Sequence, residues 1–339
     1  MLLGLTPDAL AARLESATRA RMVTRVLAEG RDPWTAEDVP EGVRRRLAAT
    51  CARTPHRITN RTEADDGTEK LLVDLSTDAP GREVETVLIP TASRNTVCVS
   101  SQVGCKRRCH FCLTGTMGLV HDLRADEIVL QVWLALQRRP VRNVVFMGMG
   151  EPLDNFEAVA DAVRILTHDR GFGLAPRHVT VSTVGPSPEA VRRLRDLDTR
   201  VAWSLHAADD DARTEIIGTH RHPVEALRDA FFEVVGKQPL FVEVTLIDGA
   251  NDRDEDADAI TRLFAEAPTE VRFNLLPMNP IGNALRPSLG VDAFAARLKA
   301  AGFFTSVRRA RGDEQRSACG QLYATPRRRA ALRSGERSV

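Results

Sequence analysis

Three cysteines stand within eight residues, in Cys105-Lys106-Arg107-Arg108-Cys109-His110-Phe111-Cys112. Gaps of three and then two residues let one tight loop aim three thiolates at a single metal centre. Iron–sulfur clusters are held by cysteine thiolates, and a [4Fe–4S] cluster has four irons to satisfy. Three protein ligands would leave one iron open to bind something that reacts. The same spacing also admits a zinc site with a fourth ligand such as His110, or a disulfide pair.

The elements that must position this loop alternate. Thr96–Val103 is expected as a strand leading into the cysteines, followed by a helix over Arg124–Gln137. Strands are then expected at Asn143–Met147, Val179–Val184, Val201–His206, Leu240–Ile247 and Val271–Leu276, with a last one at Ser306–Arg309. Helices are expected between them, at about Phe156–Thr167, Glu189–Leu197, Pro223–Val235, Glu255–Ala265 and Val291–Ala301. Six β/α units in series predict a parallel sheet bent into a partial TIM-type barrel, an α/β fold. In such barrels the working residues sit at the C-terminal ends of strands. The cysteine loop, Gly150-Glu151, Ser182, Ser204–His206 and Asn279 all fall at or just past such ends.

Upstream, residues 1–54 read as a helical accessory domain. Thr6-Pro7 starts one helix, a second runs from Ala20 to about Ala28, and a third lies near Val43–Ala52. Arg19, Arg21, Arg25, Arg44, Arg45 and Arg46 crowd it, and a basic helical face can grip RNA phosphates or simply be solvated. Residues 55–95 read as a small β extension, with strands at Arg57–Thr59, Leu71–Leu75 and Val84–Ile89. The barrel core is expected over 96–323, and a basic tail over 324–339.

The 339 residues suffice for one large domain plus a small one, and 43% are hydrophobic. The net charge of +1 argues neither for nor against nucleic acid. Four of the 6 cysteines crowd between Cys98 and Cys112, which is wrong for a secreted disulfide framework and suits a reducing cytosol. Cys51 reads as structural. The N-terminus does not look like a secretion signal, and no apolar run approaches the roughly 20 residues of a membrane span. The expectation is a soluble, cytoplasmic monomer with no membrane partner.

These motifs resemble those of radical S-adenosylmethionine (SAM) proteins. Phe111 fits the aromatic residue common before the third cysteine, and Gly148-Met149-Gly150-Glu151-Pro152 looks like the segment that meets the SAM amino group. More closely, the chain resembles the RlmN/Cfr family of RNA adenosine methyltransferases from Leu3 to about Tyr323. The matching blocks are Val84–Pro90, Cys98–Cys105, Val179–Thr183, Ser204-Leu205-His206-Ala207, Asn274–Pro277 with Asn279-Pro280, Arg311-Gly312-Asp313, and Ala318-Cys319-Gly320-Gln321-Leu322.

The resemblance implies roles. Cys105, Cys109 and Cys112 would ligate one [4Fe–4S] cluster. Gly150, Glu151, Ser182, Ser204, Leu205, His206 and Asn279 would contact SAM. Cys319 would carry a methyl group, Cys98 would resolve the enzyme–RNA adduct, and Glu85 would accept a proton. An adenine ring carbon is not a nucleophile, so it cannot be methylated by simple displacement. A thiolate can, and in the family a radical formed from a second SAM then activates the S-methyl group. The implied partner is 23S rRNA, with tRNA as a further substrate, together with an electron donor the sequence does not name. Carbon 2 is the expected position and carbon 8 the alternative. A radical SAM enzyme on a non-RNA substrate, and a non-catalytic Fe–S or zinc RNA-binding protein, are the competing functions. Lys106-Arg107-Arg108, Thr219–Pro223, Met278 and Ile281–Ala284 depart from the family pattern, the last three segments near the expected RNA-facing mouth.

Overall fold

The N-terminal helices form where the sequence supplies their caps. Thr6 accepts from the Ala9 amide at 3.3 Å to start α1 (Pro7–Leu14), and Ser16 accepts from Arg19 at 3.3 Å to start α2 (Ala17–Ala28). α3 (Glu41–Thr50) completes the group. Much of the expected basic face is neutralised locally: Arg25 pairs with Asp38 at 2.8 Å, Arg45 with Glu41 at 3.5 Å, and Arg46 with Glu15. The computed structural model describes residues 1–76, 81–91, 94–308 and 321–322. Cys319, Arg311–Asp313 and the basic tail lie outside the described residues.

Next, β1 (Arg57–Glu63), β2 (Glu69–Asp74) and β3 (Glu83–Pro90) pair antiparallel in sequence, and β3 pairs antiparallel with β4 (Asn95–Cys98). The chain then leaves the sheet. β5 (Gln102–Cys105), the cysteine loop, the one-turn helix α4 (Leu113–Thr116) and β6 (Gly118–Asp122) form a separate ribbon in which β5 and β6 pair antiparallel. The β/α alternation follows: α5 (Ala125–Leu136), β7 (Asn143–Phe146), α6 (Phe156–Thr167), β8 (Val179–Thr183), α7 (Pro188–Arg192), β9 (Arg200–Ser204), α8 (Asp210–Ile216), α9 (Val224–Val235), β10 (Leu240–Leu246), α10 (Asp254–Leu263), β11 (Val271–Pro277), α11 (Val291–Ala300) and β12 (Phe304–Val307).

One sheet of ten strands results, ordered β1-β2-β3-β4-β7-β8-β9-β10-β11-β12. From β4 to β12 every neighbouring pair is parallel. Among the described residues β12 pairs with β11 alone, so the parallel strands form an arc, as a partial barrel does. The alternating units therefore build the α/β architecture expected from their order. Their outer faces are buried by aromatic packing, for example Trp203 of β9 stacked on Phe231 of α9 at 4.8 Å between centroids. No helix among the described residues is long and apolar enough to cross a membrane.

Three details differ from expectation. The strand expected over Thr96–Val103 is broken. Val99 still donates to Val145 O, but Ser101 and Gln102 both donate to Met149 O, so the chain turns across the end of β7. The small β extension does not stand apart either, because β3 and β4 join it to the main sheet edge to edge. β6 and α8 were not foreseen. α8 begins at a capping Asp209, which accepts from Ala212 at 2.9 Å.

Candidate active site at the C-terminal strand ends

A cavity opens at the C-terminal ends of the parallel strands. Cys105, Cys109 and Cys112 line it, together with Gly150, Glu151, Ser182, Ser204 and His206. The sheet thus gathers residues spread over a hundred positions.

The cysteine loop is held from several sides. Gly104 has φ +76°, and a Cβ there would lie 1.9 Å from Gly118 O, so only glycine lets β5 and β6 close beneath the loop. His110 donates its amide to Ile216 O at 3.0 Å, the Thr219 hydroxyl donates to Arg107 O at 3.1 Å, and Asn283 Nδ2 donates to His110 O at 2.9 Å. Cys109, Phe111, Ile216, Ile217, Ile247 and Met278 pack as a small apolar cluster. The departures at Thr219, Met278 and Asn283 therefore fall on residues that hold the loop. The basic run is divided: Arg107 makes a bidentate pair with Asp154, Lys106 lies 3.3 Å from the same carboxylate, and Arg108 is exposed in the left-handed region at φ +55°.

Burial pushes the Cys105 thiol up to about 12 and the Cys109 thiol well above its ordinary value, and the Cys112 charge adds to both shifts. Three thiols so close that each opposes the others' ionisation need a cation to become thiolates together.

At the strand ends, the positions of Gly148 and Gly150 are closed to any side chain. A Cβ on Gly148 would lie 2.6 Å from Val99 O. One on Gly150, at φ +100°, would lie 2.7 Å from Gln102 Cβ. Glu151 is buried. Its Oε1 accepts from Leu153 N and its Oε2 from Val184 N, each at 3.0 Å, and burial raises its pKa. Its carboxylate thus joins the turn after β7 to the end of β8. Ser182 and Ser204 share a hydrogen bond of 3.1 Å between their hydroxyls. His206 sits at φ +63°, accepts from Thr245 N through Nδ1 at 3.1 Å, and packs against Phe111 with centroids 4.6 Å apart. Burial, then the charge of Arg213, pushes its pKa down to about 3. The ring is therefore neutral and carries its proton on Nε2.

Other expected residues stand off the cavity. Leu205 is fully buried in the main core, with its carbonyl taken by Arg213 Nε at 2.9 Å. Asn279 is half-buried two residues past β11. Cys98 is buried at the end of β4, and Glu85 is buried in β3 with its carboxylate 3.5 Å from the Lys70 ammonium. Glu85 O accepts from the Ser100 hydroxyl at 2.7 Å, and that hydroxyl accepts from Met149 N at 2.9 Å, which ties β3 to the Gly148–Gly150 turn. Cys319 lies outside the described residues, but Leu322 lines the cavity and its carbonyl accepts from the Thr114 hydroxyl at 2.7 Å.

Two residues were missed in the sequence. Arg213 of α8 is buried and donates to Leu205 O, Val184 O and Ser204 O, while His220 Nδ1 lies 2.6 Å from its guanidinium. Glu243 lies on the cavity wall, accepts from Asn274 Nδ2 at 2.8 Å, and stands 3.7 Å from Arg308. A carboxylate in the middle of the largely apolar Leu240–Leu246 run was the available signal.

Residues 99–260 match the model of the radical SAM superfamily. The whole chain is similar to a radical SAM methyltransferase from Sphaerobacter thermophilus: 37% identity, 95% of this chain and 99% of that one covered, TM-score 0.87. The chain belongs to the radical SAM superfamily. Two further solved structures are similar to it more remotely. A domain of pyruvate-formate lyase-activating enzyme from Bacteroides vulgatus is 20% identical, covers 49% of this chain and 99% of that one, and has a TM-score of 0.41. SuiB from Streptococcus suis, solved bound to S-adenosylmethionine, is 15% identical, covers 63% of this chain and 47% of that one, and has a TM-score of 0.45.

Membership of the radical SAM superfamily implies a [4Fe–4S] cluster and SAM. The donor set fits. Three cysteine sulfurs line one cavity, and cysteine thiolates are the ligands that iron–sulfur clusters take.

Proposed function

We propose that this radical SAM protein methylates a ring carbon of adenosine in RNA, with carbon 2 as the position, and that Cys319 carries the methyl group. The similarity to a radical SAM methyltransferase along 95% of the chain supports methyl transfer. The order of motif blocks from Val84 to Leu322 supports RNA adenosine as the acceptor, with 23S rRNA and tRNA as its sources.

The observation that carries the reading is the attachment of Leu322. Thr114, two residues after Cys112, holds its carbonyl, and its side chain lines the cavity. Cys319 precedes Leu322 by three residues in the sequence.

Cys105, Cys109 and Cys112 would hold the cluster, and Gly150, Glu151, Ser182, Ser204 and His206 would shape the SAM pocket. When bound, these groups supply the hydrogen-abstracting radical. The chain's own residues do the rest. Cys319 presents the methyl carbon as a thioether. Glu85 removes the ring proton from the adduct. The Cys98 thiolate attacks the Cys319 sulfur, and an S–S bond forms as the sulfur–CH2 bond to the base breaks. The departing carbon takes up a proton to become the methyl group, and the adduct's unpaired electron would return to the cofactor. An external reductant resets both thiols.

Mass spectrometry of Cys319 after incubation of the cluster-loaded protein with methyl-labelled SAM tests the relay. A labelled S-methyl group is expected, and an unmodified Cys319 would overturn it. Mapping modified adenosines in RNA from cells with and without the gene tests the substrate. Loss of a 2-methyladenosine is expected, and an unchanged rRNA and tRNA profile would refute the RNA reading.

A further inference from the structure

The chain is nearly balanced in charge, with 47 Lys+Arg against 46 Asp+Glu. Many of its arginines are matched locally: Arg192 and Arg195 share Glu233, Arg25 and Arg31 share Asp38, and Arg297 bridges Asp254 and Asp258. One rim is different. At the N-terminal ends of four adjacent parallel strands stand Arg94 before β4, Arg142 before β7, Arg177 before β8 and Arg200 at the start of β9, all exposed.

The ladder fixes them as neighbours. Thr96 pairs with Asn143, Val144 with Val179 and Thr180 with Arg200, while the Arg142 amide donates to Asn95 O at 3.0 Å. Strands lie about 4.8 Å apart, so the row is roughly 14 Å long. Among the described residues none of the four has a carboxylate within ion-pair distance, and their charges act on one another. Arg200 is lowered by burial and then by Arg272, Arg94 and Arg177. His178 is lowered by burial and then by Arg142, Arg177, Arg200 and Arg94.

The row continues into an aromatic ladder. The Arg200 guanidinium lies 5.6 Å from the Phe241 centroid, and that of Arg272 lies 5.8 Å from Phe241 and 5.6 Å from Phe304. Phe304 is 61% exposed, while Arg272 is neutralised by two hydrogen bonds to Glu270.

We propose that this arginine rim, at the opposite end of the strands from the cysteine cavity, binds the phosphate backbone of RNA. A line of unpaired cations fits a linear polyanion better than a single small anion. Guanidinium forks match phosphate oxygens, and the exposed Phe304 ring, reached from Arg200 along Phe241 and Arg272, offers a base a stacking surface. An acidic electron-transfer protein fits less well. The rim's strands, of four or five residues, place about 13–17 Å of sheet between the rim and the cysteine end, where electrons must arrive. That the polyanion is RNA rests on the proposed adenosine methylation; the unpaired row does not.

The test uses full-length, cluster-loaded protein and a fluorescently labelled RNA hairpin of mixed sequence, with affinity measured by anisotropy across a salt series. The quadruple variant Arg94→Gln, Arg142→Gln, Arg177→Gln, Arg200→Gln is expected to bind at least tenfold more weakly. Its plot of log affinity against log salt should be shallower by about three to four, at roughly 0.7–0.9 unit for each of the four lost phosphate contacts. Its melting temperature should be unchanged or higher, because repulsion is removed, and methyl labelling of Cys319 should be unaffected. If the quadruple variant does not fold, the pairs Arg94/Arg142 and Arg177/Arg200 are tested separately. Wild-type affinity and slope in the variants would overturn the proposal. So would intact RNA binding with impaired reduction by an acidic redox protein, which would make the rim a protein-docking face. Rim-dependent RNA binding without any adenosine methylation would fault the methylation reading alone. Methylation with no rim contribution to binding would fault the rim alone.

Discussion

The Arg213 guanidinium lies 2.6 Å from Nδ1 of His220, and the Nε2 of that histidine lies 2.8 Å from Asp210. Both partners of the first contact are nearly closed to water. His220 belongs to the segment Thr219–Pro223, which departs from the family pattern and was expected at an RNA-facing mouth. The fold turns the His220 side chain inward, as the partner of a buried cation that ties β8 and β9 together behind the cavity, while Arg221 and Pro223 of the same segment stay exposed. Burial lowers the Arg213 pKa to about 10, and it remains charged at neutral pH.

Replacing that cation should be costly. Arg213→Met strands three carbonyls and one imidazole nitrogen in the interior, and unpairing buried polar groups of this kind costs about 3–5 kcal/mol. Arg213→Lys keeps the charge but cannot reproduce the fork. Urea unfolding of both variants should show a large loss for methionine and a smaller one for lysine. Loss of less than about 1 kcal/mol in Arg213→Met would contradict the assigned role.

Gly104→Ala should act on the cysteine loop. The new methyl group would meet Gly118 O at 1.9 Å, at a backbone φ of +76°. The β5–β6 ribbon must open, and the Cys105 end of the loop moves with it. Iron and sulfide content after reconstitution should fall severalfold, whereas Gly42→Ala, with open space around the added methyl, should load normally. Equal loading of the two variants would show that the ribbon does not position the thiols.

His206 sets a pH dependence. Its folded pKa of about 3 lies below the ordinary 6.5, so the unfolded chain binds the extra proton first as pH falls. The stabilisation is complete above the unfolded value and is lost as pH falls from about 6.5 toward 3, at up to roughly 1.4 kcal/mol per unit. Asparagine tolerates the left-handed region, so His206→Asn is the suitable comparison. Its unfolding free energy should change less between pH 7 and pH 5 than that of the wild type. Parallel curves would exclude His206 as the titrating group.

Ser182 and Ser204 join the ends of β8 and β9 on the cavity wall. Ser204→Ala leaves one hydroxyl without its partner, and a lost neutral hydrogen bond is worth about 0.5–1.5 kcal/mol. SAM affinity measured by equilibrium dialysis on cluster-loaded protein should weaken severalfold, and the melting temperature should fall by a few degrees at most. An unchanged affinity would remove the pair from the SAM pocket.

The sequence alone determined the parts whose signals are local. Cysteine spacing singled out the loop that lines the cavity, apolar periodicity laid out the β/α order, and α6 runs over Phe156–Thr167 as its pattern predicts. Placement of Gly150, Glu151, Ser182, Ser204 and His206 at strand ends followed from that order, because a parallel sheet brings every C-terminal end to one side.

Only the tertiary structure decided what depends on contacts between distant segments. It turned the chain out of the sheet after Cys98, folded β6 back onto β5, and buried Leu205 in the core while Ser204 and His206 reached the cavity. Arg213 and Glu243 carried no motif, since a buried charge is recognised by its partners and those come from other strands. The arginine rim was equally hidden: Arg94, Arg142, Arg177 and Arg200 are far apart in the chain, and parallel pairing alone sets them in one row.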